Sequence, residues 1–244
     1  MSNKYFVWDE NLAYHAAEYF CEKICAIAEK KGKVSIAISG GNTPKHMLEI
    51  LADPSYEFFS KIPWSNIWLF FVDERAVSPE HIDSNYKMVK EAMLDKVVIP
   101  SGQVFRMKGE LDPAEAASDY QEQLLQYFGC TMPKFDIVQL GMGDDGHTAS
   151  LFPHTDGLLE ETAAVVANFV SQKNTWRITL TKTAINSAES VFFLISGASK
   201  AEALRQVLSD KQNPMEFPAQ LIRPSGQLDF LMDKDAAAGM NYGS

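Results

Sequence analysis

Basic side chains are scarce relative to acids: 22 Lys and Arg stand against 32 Asp and Glu, a formal net charge of -10 over 244 residues. No cluster of Lys or Arg occurs, so the counterion release that drives binding to nucleic acid or to an anionic membrane surface has no source, and neither partner is expected. Cysteine is equally thin. Cys21, Cys25 and Cys130 are odd in number and lack the paired spacing of a zinc site, so they read as free thiols in a reducing compartment. Also missing are an Asn-x-Ser/Thr sequon, an apolar h-region in the opening residues, any apolar run beyond strand length, and internal repeats. These absences exclude glycosylation and a helical membrane span and point to a cytoplasmic protein.

What the chain does have is apolar content, 46% of residues, enough for one sizeable core, and residues 1–244 read as a single domain. Continuous apolar runs at residues 34–38, 67–72, 135–140 and 191–195 suit strands buried on both faces. Shorter runs at 5–7 and 163–167 add strands, and 228–232 reads as an edge strand. Between them, Leu12, Ala16, Phe20, Ile24 and Ile27 recur at helical spacing before a stop at Gly32. Ala116, Tyr120, Leu124 and Phe128 do the same after Asp112-Pro113, and residues 201–208 form a further helix. Strands alternating with helices predict a mostly parallel, Rossmann-like α/β sheet with helices on both faces, so the strands' carboxyl ends share one edge.

Four of those ends are polar. Ser39-Gly40-Gly41-Asn42-Thr43-Pro44 follows the first apolar run, with Thr43 suited to an N-cap and Pro44 to the first helical position, an arrangement able to cradle an anion. Asp73-Glu74-Arg75 follows the second, and Ser84-Asn85 then caps a helix. Gly141-Met142-Gly143-Asp144-Asp145-Gly146-His147 follows the third, where the glycines allow a tight turn that is expected to open into a helix. Ser196-Gly197-Ala198-Ser199-Lys200 follows the fourth and sets Lys200 near a helix start, an unfavourable place for a cation unless an anion binds there. Each has a plain alternative: a tight turn, an ion pair of Arg75 with Asp73 or Glu74, a structural histidine, an exposed lysine. Four polar turns on one edge are better explained by a shared pocket, in which backbone N–H groups, Arg75 and Lys200 hold a phosphate while Asp73, Asp145 and His147 hold hydroxyls and move protons. Gly141-x-Gly143-x-x-Gly146 also fits a dinucleotide fingerprint, but two aspartates would face the pyrophosphate and Pro153 interrupts the required helix. Asp144, Asp145 and His147 are possible metal ligands, yet no further His or Cys clusters with them, so no metal is expected.

These blocks, with Asp83-Ser84-Asn85, Thr148-Ala149-Ser150-Leu151-Phe152-Pro153, Arg177-Ile178-Thr179-Leu180 and Gly197-Ala198-Ser199-Lys200-Ala201, resemble the 6-phosphogluconolactonase family, within the wider group that includes the glucosamine-6-phosphate deaminases. The resemblance spans nearly the whole chain in the family's order; Phe230 departs from a tryptophan frequent in the closing segment. It implies hydrolysis of 6-phosphoglucono-1,5-lactone to 6-phosphogluconate in the pentose phosphate pathway, a phosphorylated sugar lactone as the small-molecule partner, and no metal or organic cofactor. It makes His147 the general base, kept neutral in part by a helix N-terminus, and gives Asp145 the task of orienting it or holding a hydroxyl. Asp73 would bind hydroxyls, and Thr43, Arg75, Lys200 and, more weakly, Arg177 the phosphate. The Gly40-Gly41 and Gly141-Gly143 turns both remain candidate oxyanion donors, and oligomeric state is left open. The deaminases carry a glutamate after the Asp-Gly-His step where residues 148–153 have no carboxylate, and Asp-Glu-Tyr where this chain has Asp73-Glu74-Arg75. A deaminase and a non-catalytic sugar-phosphate sensor are the alternatives.

Overall fold

The computed structural model describes residues 3–238 and 240. The chain runs β1 (Lys4–Trp8), α1 (Leu12–Lys31), β2 (Val34–Ile38), α2 (Asn42–Leu51), α3 (Glu57–Lys61), β3 (Ile67–Phe71), β4 (Asp73–Arg75), α4 (Asn85–Val89), β5 (Val104–Phe105), α5 (Pro113–Phe128), β6 (Ile137–Leu140), β7 (Val165–Val170), β8 (Thr175–Leu180), α6 (Lys182–Asn186), β9 (Ser190–Ile195), α7 (Ala201–Val207) and β10 (Gln227–Asp233). Seven strands pair in the order β1-β10-β9-β6-β2-β3-β5, and every pairing is parallel. The parallel sheet with helices on both faces is therefore as expected.

Alternation along each strand builds two cores, one on either side of the sheet. Ile36, Ile38, Leu69, Phe71, Phe192 and Leu194 face α1 and α2, while Ala37, Phe70, Val138, Leu140, Val191 and Phe193 face α5, α6 and α7. This double burial is why these strands read as largely apolar runs, with buried Ser35 and Gln139 as polar exceptions. It also corrects the expectation for residues 228–232: β10 lies between β1 and β9, with Phe230 stacked on Tyr5 and Phe193. The edge position falls to β1, which comes from the other end of the chain.

Two further expectations are corrected. Of residues 163–167 only 165–167 are strand, the start of β7, which does not join the parallel sheet; it forms an antiparallel hairpin with β8, which pairs in turn with β4. The three residues Asp73–Arg75 are thus a strand of this second sheet, because the chain leaves β3 at Val72 and turns toward β8, where Leu180 donates its N–H to Val72 O at 2.8 Å. And α2 begins at Asn42 with Gly41 as its cap at φ 110°, a conformation that glycine tolerates and threonine does not, so Thr43 lies inside the first turn instead of capping it. Among the described residues no helix is long and apolar enough to cross a membrane, and Cys21, Cys25 and Cys130 are free thiols.

Candidate active site

The carboxyl edge of the parallel sheet opens on a cavity of about 430 Å³. Ser39, Gly40, Gly41 and Thr43 from the β2–α2 turn line it, as do Gly143 and His147 from the turn after β6 and Lys200 from the turn after β9. The small antiparallel sheet adds Asp73, Arg75 and Arg177. Asp145, also expected at the site, is the exception: it stands beside His147 without lining the cavity.

The segment after β6 does not become a helix, which removes the helix N-terminus invoked for His147. Gly143 donates its N–H to His147 O at 2.8 Å, Gly146 donates to Gly143 O at 3.2 Å, and Thr148 Oγ1 donates to Gly141 O at 2.8 Å. Gly146, Ala149 and His154 all have positive φ, and Thr148 and Leu151 form an isolated bridge. With the N–H groups closing a compact loop and left-handed residues interrupting it, a helical ladder cannot propagate. The Gly143 N–H, one of the candidate oxyanion donors, is engaged in the same way.

Inside that loop the imidazole is tightly held. Asp145 Oδ1 accepts from the His147 backbone N–H at 3.0 Å and lies 2.5 Å from Nδ1, which puts the ring proton on Nδ1 and leaves Nε2 as the basic nitrogen. Burial alone would raise the Asp145 carboxyl, but the hydrogen bond and charge of His147 outweigh it and hold the group below its usual range. Phe152 stacks on the imidazole with centroids 3.9 Å apart. Gly143 comes so close that a Cβ there would stand 2.1 Å from Nδ1, so the glycine is required by the histidine and not only by the turn.

Asp73 is fixed by groups that the sequence reading did not assign to the site. Ser150 Oγ donates to its Oδ2 at 2.6 Å, and Asn85 Nδ2 donates to its backbone O at 2.9 Å and its Oδ1 at 3.3 Å. Both residues line the cavity. Asn85 enters the sequence pattern as part of a helix cap and of the Asp83-Ser84-Asn85 block, without a site role; Ser84 is the cap, accepting from Lys87 N–H at 3.1 Å. The available signal was Gly40, since a Cβ there would meet Asn85 Oδ1 at 1.9 Å. Ser150 lies in the block at residues 148–153 that carries the resemblance but has no role assigned there, and its N–H is anchored by Thr179 Oγ1 at 3.1 Å from across the fold.

Arg75 and Arg177 are opposed in the β4–β8 register, so their side chains share one face. Arg75 does not pair with Asp73 or Glu74: its guanidinium donates to Asp83 O. The Glu74 carboxylate instead accepts from Asn85 N–H at 2.7 Å, Tyr86 N–H at 2.8 Å and Ser84 Oγ at 3.0 Å, anchoring the start of α4. Burial, which raises its pKa, prevails over those N–H donors, which lower it. Burial and then the neighbouring Arg75 push Arg177 below its usual range. Among the described residues Arg75, Arg177 and Lys200 form no salt bridge. Three cations line one cavity, two of them side by side on the antiparallel sheet, and positive charge with guanidinium geometry suits an anion.

A family model described as glucosamine-6-phosphate isomerases/6-phosphogluconolactonase matches residues 8–230. A 6-phosphogluconolactonase from a Synechocystis species is 42% identical over 220 residues, 88% of each chain. Among solved structures, 6-phosphogluconolactonase from Trypanosoma cruzi superposes with a TM-score of 0.88 at 28% identity, covering 99% of this chain and 98% of that one. A monomeric glucosamine-6-phosphate deaminase reaches a TM-score of 0.81 at 22% identity over 96% of this chain and 99% of its own, a likeness of fold alone. On the family match and the Synechocystis relative, the chain belongs to the glucosamine-6-phosphate isomerase/6-phosphogluconolactonase family.

Proposed function

We propose that the protein hydrolyses 6-phosphoglucono-1,5-lactone to 6-phosphogluconate, as a cytoplasmic, cofactor-independent step of the pentose phosphate pathway. The observation that carries this reading is the Asp145–His147 pair on the same cavity as Arg75, Arg177 and Lys200: a base at one side and a phosphate grip at the other. His147 Nε2 takes a proton from water as the hydroxide adds to the lactone carbonyl. The tetrahedral oxyanion is met by N–H groups of the Gly40–Gly41 turn, since the Gly143 N–H is bound to His147 O. Collapse breaks the bond from the carbonyl carbon to the ring oxygen, which receives the proton from the His147 imidazolium. Thr43, Arg75, Arg177 and Lys200 hold the phosphate, and Asp73, braced by Ser150 and Asn85, accepts from sugar hydroxyls.

Against a deaminase, no carboxylate occurs in residues 148–153, and one face of the His147 ring is occupied by Phe152. The test is one assay of both substrates. Freshly generated lactone is expected to release acid rapidly and glucosamine 6-phosphate to release no ammonia; ammonia release matching lactone hydrolysis would overturn the reading, and binding of 6-phosphogluconate without turnover would leave only a sensor.

A further inference from the structure

His147 is gripped from several directions, and the least explained grip is apolar. Phe152 is 4% exposed, lines the cavity and lies on the imidazole with ring planes 19° apart. A phenyl ring there can neither donate nor accept a proton. The chain nevertheless makes a costly reversal to place it: Ala149 at φ 51° and His154 at φ 59° flank the segment, in a region that residues with a Cβ seldom adopt. Asn168, buried in β7, braces the reversal by donating to Ser150 O at 2.8 Å and Thr155 Oγ1 at 2.9 Å.

We propose that Phe152 is a positioning residue for His147: its ring fixes the imidazole rotamer that turns Nε2 to the cavity, and its π face favours the imidazolium that forms when the base takes its proton. This rests on His147 being the base. The other charged groups facing the site are Asp145 from the same turn, Asp73 and Arg75 from β4, Arg177 from β8 and Lys200 from the turn after β9. None is changed by a substitution at Phe152, so any shift in the titration of His147 reports the ring.

The test compares Phe152→Leu, which keeps apolar volume without a π face, with Phe152→Tyr and Phe152→Trp, which keep the face. For Phe152→Leu, kcat is expected to fall on the order of tenfold with KM nearly unchanged. The acidic limb of the pH–rate profile, and the His147 titration followed by NMR, are expected to move down by about half a pH unit, because removing the π face disfavours the charged form. The aromatic variants retain both values. Wild-type kcat with an unmoved titration in Phe152→Leu overturns the proposal, as does a loss of kcat common to all replacements with no movement of the titration. Phe152→Met carries the same expectation should the leucine variant not fold. The titration is read on the ligand-free protein: lactone left intact by the wild type would sink the assigned reaction, and an unmoved titration would sink the role of Phe152.

Discussion

One wall of the cavity is made by neighbours in sequence and the other by strangers. Gly143, His147 and Phe152 fall within a single loop held by bonds that span a few residues, with Asp145 gripping His147 from outside the lining. Asp73, Arg75, Asn85 and Arg177 come from β4, the start of α4 and β8, and they meet only because an antiparallel strand pair crosses the end of the parallel sheet. On the proposed reading the loop carries the group that moves a proton. The corner carries fixed charge, which must be placed but need not be tuned. Breaking the loop is therefore expected to lower kcat, and breaking the corner to raise KM.

The largest effect sharpens that division. General-base assistance is typically worth about 10²- to 10⁴-fold, so His147→Ala should lower kcat by that order with little change in KM. Gly143→Ala, whose methyl would stand 2.1 Å from Nδ1, is expected to reproduce much of the loss without removing the base. A kcat within a few-fold of wild type for His147→Ala would take the loop out of the mechanism.

At the corner, Arg75→Ala and Arg177→Ala are each expected to raise KM for the phosphorylated lactone roughly tenfold while leaving unphosphorylated gluconolactone nearly unaffected. Equal losses on both substrates would make the two arginines architectural and dissolve the contrast with the loop.

The smallest effect concerns stability. Asp145 is held below its usual carboxylate range, so its bond to His147 contributes fully above the unfolded value, about pH 4, and is lost as pH falls through the lower folded value. Asp145→Asn is expected to flatten slightly the fall of Tm as pH drops below about 4. The Asp145 side chain is 41% exposed, so solvent screening keeps the effect small. An unchanged slope would mean that the pair serves orientation alone.

Much of the parallel sheet and most of the lining were readable from the amino-acid order, because a strand buried on both faces must be apolar throughout and the polar residues at its carboxyl end then have only one edge to occupy. Glycine spacing similarly marked the His147 turn. The sequence could not say that this turn stays a loop: the Thr148–Leu151 bridge and the left-handed Ala149 and His154 are answers to packing, since neither residue prefers that conformation in isolation. Nor could it place β10 inside the sheet, where the neighbour that covers its outer side, β1, comes from the other end of the chain. Arg75 beside Arg177 and Ser150 beneath Asp73 lie furthest from any local signal. A charge next to a strand end has many possible partners, and only the closing of β4 on β8 decides that Arg75 faces a second guanidinium instead of Asp73 or Glu74, which concentrates positive charge on that wall.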